Sequence, residues 1–113
     1  MGSRTATELL QLPVQLHGIK LGQPVDLLLD AEEWRALGLV VRCGDDVERF
    51  LALPAARLGK EEIAVDSAFL LLEDVDFYRE RGRSARELFG GELDDVRVDA
   101  GGEVGYPRDG VKG

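Results

Sequence analysis

The sequence has a single cysteine, Cys43, so no disulfide can form within the chain. Disulfides belong mainly to oxidising compartments, and we therefore expect a cytoplasmic protein. Its longest apolar runs fall well short of the roughly 20 residues that a transmembrane helix needs. The first residues lack the charged, apolar and small-residue order of a secretory signal. These absences predict a chain with no membrane insertion.

Groups that commonly carry catalysis or bind metals are also scarce. Cys43 and His17 are the only thiol and the only imidazole, and their spacing gives no reason to pair them as nucleophile and base. The acidic groups at 45–48 and 61–66 lack the register of a calcium-binding loop. Neither a dinucleotide-binding nor a P-loop glycine motif is present. We therefore predict a protein that is not an enzyme and that uses no cofactor or metal.

Positive charge is in the minority, with 14 lysine and arginine residues against 22 aspartate and glutamate residues and a net charge of −8. A protein that binds DNA or RNA through the phosphate backbone needs a positive field. This balance argues against a general nucleic-acid binder and predicts no DNA partner. What the chain does have is 44% hydrophobic residues, enough for one globular domain with its own core.

Aliphatic residues with a period of two dominate the segment VDLLLDAEEWRALGLVVR at 25–42. This period predicts two antiparallel strands, 24–29 and 37–42, joined around residues 30–35. Further short strands, bounded by glycine, proline or aspartate, are expected around 14–16, 19–21, 50–53 and 63–65. Short strands at this spacing predict an all-β fold, a small closed or partly open barrel of about five to six antiparallel strands.

The pattern becomes helical near residue 71. Leu71, Leu72, Val75 and Tyr78 have helical spacing and predict a helix over 71–82. A capping-box pattern at 84–87 predicts a second helical turn, and Phe77 and Phe89 are expected to pack this segment on the barrel. The predicted organisation is an N-terminal extension over 1–13 (its first residues resemble a cloning remnant), a β domain over 14–72, a helical segment over 73–91 and a polar, glycine-rich tail over 92–113.

Three stretches resemble the PRC-barrel family: LGQPVDLLLD at 21–30, ALGLVVR at 36–42 and ERFLALPAARLGKEEIAVDSA at 48–68. The similarity spans roughly residues 14–72, although residues 30–35 depart from the family's short glycine-containing turn. It implies a small β-barrel that binds other proteins and carries no catalytic machinery. The same barrel occurs in ribosome maturation factors and in the H subunit of photosynthetic reaction centres. This chain is most similar to the stand-alone bacterial members.

The tail contains a degraded copy of the first hairpin. DVRVDA at 95–100 repeats the pattern of DLLLDA at 26–31, which predicts the start of a second barrel repeat within 92–106. A lone hairpin is only marginally stable, so it must lean on its own barrel or on a neighbouring subunit. The candidate contacts of a homodimer are Asp95, Val96, Arg97 and Val98. The alternative is a coincidence in a disordered tail.

Two features are candidate partner-binding sites. The only basic cluster consists of Arg79, Arg81, Arg83 and Arg86. Guanidinium groups suit phosphates or carboxylates, but the cluster is also typical of a solvated helix face balanced by nearby glutamates. Trp34, at the tip of the predicted hairpin, is either an exposed anchor for a partner or a cap over the barrel end.

These observations predict a non-catalytic interaction module that binds another protein or a second copy of itself. One alternative is an RNA- or ribosome-associated factor that uses the arginine cluster. Another is a small-ligand-binding barrel, which would need a concave pocket with converging polar groups.

Overall fold

The computed structural model of the protein describes residues 4–30, 32, 35–99 and 102–105. Strands (46%) outweigh helices (29%), which confirms a mostly β protein. In chain order the strands are β1 (Arg4–Thr5), β2 (Val14–Leu16), β3 (Ile19–Asp30), β4 (Arg35–Cys43), β5 (Glu48–Ala52), β6 (Arg57–Leu58), β7 (Ile63–Ala64), β8 (Leu71–Leu72), β9 (Arg83–Ser84), β10 (Arg97–Val98) and β11 (Val104–Gly105). The helices are α1 (Ala6–Gln11), α2 (Val75–Arg81) and α3 (Ala85–Phe89), and 3-10 turns occupy Leu53–Ala55, Ala68–Leu70 and Gly90–Asp95.

The long strands β3 and β4 form the antiparallel hairpin that the sequence predicts over residues 24–42. Their register places Leu27 opposite Leu39, and β5 continues the sheet with Leu51 opposite Leu39. At the start of β3, a two-residue turn joins it to β2. His17 and Gly18 both have positive φ there, at 50° and 83°, which is the backbone twist that two-residue hairpin loops prefer.

Both faces of the central strands are buried, and this explains why their aliphatic runs are continuous. One face contributes Leu27, Leu39 and Leu51 to the main core, whereas the other contributes Leu28, Val40 and Phe50 to a smaller cluster. Helix α2 covers the smaller cluster, and Tyr78 stacks on Phe50 with ring centroids 4.0 Å apart. A strand with one solvated face would have alternated apolar and polar residues.

The main sheet has the strand order β6-β7-β2-β3-β4-β5-β8, and β9 lies beside β3. Over the described ranges, the strands form sheets of eight and three strands and no closed barrel. One pair also differs from the predicted antiparallel arrangement, since β2 and β7 run parallel. No hairpin joins these two strands. The chain passes through β3 to β6 before β7 reaches β2, so their relative direction is not set by a local turn.

The helical segment begins later than the predicted residue 71. Leu71 and Leu72 form β8, which pairs with Phe50 and Leu51 of β5, and α2 starts only at Val75. The free edge of β5 satisfies the backbone of these two leucines, and this tertiary pairing overrides their helical spacing. No helix within the described segments is long and apolar enough to cross a membrane.

The two predicted anchors of the helical segment differ in their packing. Phe89 is buried in the main core as expected. Phe77 is 41% exposed, and Tyr78 instead packs on the sheet. The aromatic pair Phe77–Tyr78 has an edge-to-face geometry with centroids 5.0 Å apart, so only one of two consecutive helical residues can face the core.

Both ends of the described chain belong to the same core as the predicted β domain. Strand β10 pairs with β1 and with β11 in a three-stranded sheet. Helix α1 starts with a capping box between Thr5 and Glu8 and buries Leu9. Leu9, Val96 and Val98 join one hydrophobic cluster with the central strands. Residues 4–12, expected to be an extension, and residues 93–99, expected to be tail, are therefore structural parts of the domain.

Candidate protein-binding groove

An open apolar groove of about 680 Å³ lies where the core face of the main sheet ends. Besides Ala68, its apolar lining consists of Leu21, Cys43, Phe69, Leu71 and Leu72, and we call the latter five residues the Phe69 groove. Leu71 belongs to the main core, and Leu21 and Cys43 pack against that core while half-exposed. The groove is therefore a place where the hydrophobic interior reaches the surface.

The groove stays open because the β4–β5 turn carries polar residues. The N–H of Cys43 donates to the carbonyl of Val47 at 3.0 Å, and the N–H of Asp46 donates to the carbonyl of Cys43 at 2.9 Å. The N–H of Gly44 donates to the carbonyl of Leu21 at 3.2 Å, which ties the turn to β3. The one apolar side chain of this turn, Val47, is 46% exposed and does not line the groove, so the turn leaves Leu21 and Cys43 uncovered.

Phe69 is the most exposed large apolar side chain in the described part of the chain, at 90%. The 3-10 turn that carries it is capped by Ser67, whose Oγ accepts from the N–H of Phe69 at 3.1 Å and whose carbonyl accepts from the N–H of Leu70 at 3.1 Å. An isolated exposed apolar residue needs no explanation. An aromatic ring held beside an apolar groove is typical of a binding hot spot.

A bidentate ion pair flanks the groove. The two terminal nitrogens of Arg49 donate to the two carboxylate oxygens of Asp45, each at 3.0 Å. This hydrogen-bonded contact lowers the pKa of Asp45 and, together with a smaller contribution from Cys43, raises the pKa of Arg49. An oxygen of Glu73 also lies 3.8 Å from Nη2 of the same guanidinium. Arg49 is therefore already compensated and is not a free cation for a ligand.

A second depression, of about 380 Å³, shares Leu21 and Cys43 with the Phe69 groove. Its further lining includes Val25, Lys20 and Asp46. The two depressions adjoin at Leu21 and Cys43, near the end of the β3–β4 pair.

Two arginines of the predicted basic cluster are engaged within the chain. Arg79 donates from Nη2 to Oε1 of Glu48 at 2.7 Å, so its partner lies on β5 rather than nearby in sequence. Arg81 covers the ring of Phe77, 3.5 Å from the ring centroid, and donates from Nη1 to the Phe77 carbonyl. The Arg79 contact joins α2 to β5, whereas the Arg81 contacts lie within α2.

The other two arginines lie in β9 (Arg83) and in α3 (Arg86). Arg86 donates from Nε to the carbonyl of Val25 at 2.6 Å, and its backbone N–H donates to Asp26 at 3.3 Å. Asp26 also accepts from the hydroxyl of Ser84. A cleft of about 490 Å³ here is lined by two arginines and three acids, Arg79, Arg83, Asp26, Glu80 and Glu87. The surplus of carboxylates disfavours a phosphate site.

The remaining predicted contact residues are Trp34 and the four candidate dimer contacts, Asp95, Val96, Arg97 and Val98. Trp34 lies outside the described residues. Val96 and Val98 are buried within the chain, whereas Asp95 and Arg97 are exposed. Because β10 pairs with β1 and β11 of the same chain, the predicted hairpin leans on its own fold and does not need a neighbouring subunit for its stability.

Cys43 and His17 lie at different places in the fold. Cys43 is half-buried at the end of β4, where its thiol is 3.9 Å from the carbonyl of Val41. His17 is exposed in the β2–β3 turn. Across the ranges that the structure describes, no three His, Cys, Asp or Glu side chains form a cluster that could hold a metal ion.

Glu48→Gln should lower the free energy of unfolding at neutral pH by about 1 kcal/mol, because it weakens the ion pair that joins β5 to α2. The hydrogen bond from Arg79 is the main reason that the pKa of Glu48 lies below its ordinary value of 4.5. A carboxyl with a lowered folded-state pKa stabilises the fold above its unfolded-state pKa, and this contribution is lost as the pH falls through the folded-state pKa. The difference between the two proteins should therefore shrink in acid.

Urea unfolding of both proteins at neutral pH and at about pH 3 measures this difference. Glu80→Gln is the matched control. Glu80 is exposed on α2, the helix that carries Arg79, and forms no ion pair with the residues described. A loss in Glu48→Gln that persists in acid would show that the Glu48–Arg79 pair is not its source.

Phe69 was not singled out by sequence reasoning, although a signal existed. Residues 68–72 read AFLLL, a run of five apolar residues between a short strand and a short helix. Neither a strand nor a helix can bury five consecutive side chains on one face, so at least one of the five residues had to lie at the surface. Which one depends on the pairing of β8 with β5.

The chain was compared with known families and with curated proteins. No protein-family model matches it, and no curated protein matches it. Its function is therefore inferred from the Phe69 groove and the charges around it.

Proposed function

We propose that this protein is a non-catalytic, cytoplasmic protein-binding module that holds its partner at the Phe69 groove, and that its β domain is PRC-barrel-like. The observation that carries the proposal is the exposure of Phe69, at 90%, beside an apolar surface continuous with the core. Aromatic side chains in such positions supply much of the free energy of protein association.

The barrel-like part of the proposal is supported by how the main sheet wraps its core. β7 and β8 lie toward opposite ends of the strand order, yet Ile63 of β7 and Leu71 of β8 belong to one hydrophobic cluster. A sheet that brings strands near its two ends onto one core is strongly curled. The single thiol supports the cytoplasmic location.

A protein partner accounts for the groove better than the other two candidate functions. Small-molecule sites are concave and enclose most of the ligand, whereas Phe69 projects outward from this open surface. An RNA-binding role would need accessible cations, and Arg79, Arg81 and Arg86 are each held by contacts within the chain.

Phe69→Ser should weaken the binding of a groove-directed peptide by about 30-fold, the effect of losing roughly 2 kcal/mol at a hot spot. The probes are peptides selected from a displayed random library on the native protein, and fluorescence polarisation measures their affinity. The substitution removes an exposed ring, so the urea-unfolding midpoint should stay the same.

Phe77→Ser is the matched control, because Phe77 is also partly exposed but lies on α2 outside the groove. Its peptide affinity should equal that of the native protein. Cys43 gives an independent readout. As the only thiol and a groove residue, it should be alkylated more slowly when peptide is bound. Peptides that bind Phe69→Ser as well as the native protein, or a library that yields no binder, would refute the proposed function.

A further inference from the structure

Helix α2 covers a hydrophobic face of the main sheet that is much better buried than the helix itself. Leu28, Val40 and Phe50 form the smaller cluster, and each is at most 1% exposed. None of the seven residues of α2 is buried. Val75 and Tyr78 are half-buried and pack against the cluster, and the other five residues of the helix are exposed. The helix therefore shields this face while burying little surface of its own.

The helix has little stability apart from these contacts. Isolated helices shorter than about 12 residues are marginal in water, and α2 has seven. Its N-cap residue, Asp74, makes no side-chain capping hydrogen bond, so α2 lacks the stabilisation that such a cap supplies. The ion pair from Arg79 to Glu48 involves an arginine side chain that is 42% exposed, and exposed pairs contribute at most about 1 kcal/mol. Tertiary packing through Val75 and Tyr78 is the main attachment of α2.

Both flanks of α2, in contrast, are fixed to the main sheet. Before the helix, β8 pairs with β5. After it, β9 pairs with β3, and the hydroxyl of Ser84 in β9 donates to Asp26 of β3. Residues 73–82 thus form a segment whose two ends are held in place. Such a segment, with few buried groups between its ends, can leave the sheet and return without separating any strand.

From this arrangement we infer that α2 is a lid, which detaches from the sheet and rebinds while the rest of the domain stays folded. In the open form Leu28, Val40 and Phe50 are exposed to solvent, so access to this second apolar face depends on the state of α2. Opening costs only the contacts that α2 makes, whereas the opposite face of the same strands becomes exposed only when the main core unfolds. The inference is independent of the Phe69 groove.

Two single-thiol variants test the lid. In a Cys43→Ser background, Val40→Cys and Val41→Cys each place one thiol on β4. Val40 and Val41 are both 0% exposed and adjacent, but Val40 belongs to the smaller cluster and Val41 to the main core. Iodoacetamide should alkylate the Val40→Cys protein at least about 30-fold faster than the Val41→Cys protein without denaturant. Low urea concentrations should change the faster rate little, because local opening exposes little surface.

A second pair of substitutions separates opening of the lid from global unfolding. Arg79→Gln weakens the ion pair with Glu48 and should speed alkylation of the Val40→Cys protein about two- to fivefold. Val14→Ala makes a cavity in the main core, where Val14 is 0% exposed. It should speed alkylation of the Val41→Cys protein at least about tenfold and leave the rate of the Val40→Cys protein unchanged, because the main core stays folded in the open form.

Equal alkylation rates for the two thiols, with the same dependence on urea, would overturn the inference. So would a Val14→Ala effect of equal size on both, since either result means that α2 leaves only when the whole domain unfolds. Should Val40→Cys fail to fold, hydrogen exchange of the native protein decides. The N–H of Gly82, which donates to the Tyr78 carbonyl at 2.9 Å, should exchange faster and with less dependence on urea than the paired amides of β4. Equal protection would refute the lid.

Discussion

Gly38→Ala is expected to destabilise the fold by about 3 kcal/mol, the upper end of the usual cost of overpacking a core. A Cβ atom at residue 38 would lie 2.3 Å from the carbonyl oxygen of Leu51 and 2.6 Å from Cζ of Phe50. Neither atom can move away easily. The carbonyl belongs to the sheet, and the Phe50 ring is stacked on Tyr78. The absence of a side chain at 38 is what allows β5 to approach β4 here.

Urea unfolding followed by circular dichroism measures the loss, and Gly44→Ala is the control. Gly44 lies in the β4–β5 turn, where a Cβ atom would meet no atom within 4 Å, so the change should cost less than about 0.5 kcal/mol. Equal unfolding midpoints for the two variants would mean that the close approach of β5 to Gly38 does not exist in solution.

Val98→Asp is expected to prevent folding or to cost about 4 kcal/mol, because it places a carboxylate among the buried apolar side chains of the main cluster. Val98 is 0% exposed and lies in the main hydrophobic cluster. It stands opposite Arg4 of β1 and Val104 of β11, so its side chain has no route to solvent without separating the three-stranded sheet. The experiment tests whether the C-terminal hairpin is part of the domain.

Val47→Asp is the matched control, since it makes the same change at a valine that is 46% exposed. Its free energy of unfolding should change by less than about 0.5 kcal/mol. Thermal and urea unfolding compare the two variants. A Val98→Asp protein as stable as the control would show that β10 and β11 pack only loosely on the rest of the chain.

Local sequence patterns were sufficient for the central strands. The continuous aliphatic residues at 27–29 and 39–41 predict two buried or half-buried strands, and the structure buries them on both faces. The His17–Gly18 turn and the end of β5 before Pro54 were also predictable from the sequence, because each depends on the backbone preferences of one or two residues. Such signals need no knowledge of distant parts of the chain.

Pairings between distant segments could not be predicted from local sequence patterns. The parallel β2–β7 contact and the strand formed by Leu71 and Leu72 each depend on which edge is free after the central sheet has formed. Helix α1 was missed because its apolar residues, Leu9 and Leu10, look like those of a short unstructured extension until Val96 and Val98 pack beside them. Hydrophobic pattern shows that a residue will be buried, but it does not show against what.

In the candidate site, too, some features follow from local sequence and others depend on distant segments. The sequence by itself determined a β-rich domain with an acidic charge and a basic cluster near α2, because composition and short-range periodicity require no partner segment. Tertiary structure alone decided that Arg79, Arg81 and Arg86 contact groups within the chain and that Phe69, one of five consecutive apolar residues, faces solvent. The physical reason is that the exposure of a side chain and the pairing of its charge depend on the residues packed around it. Those residues come from strands and helices that are distant in the sequence.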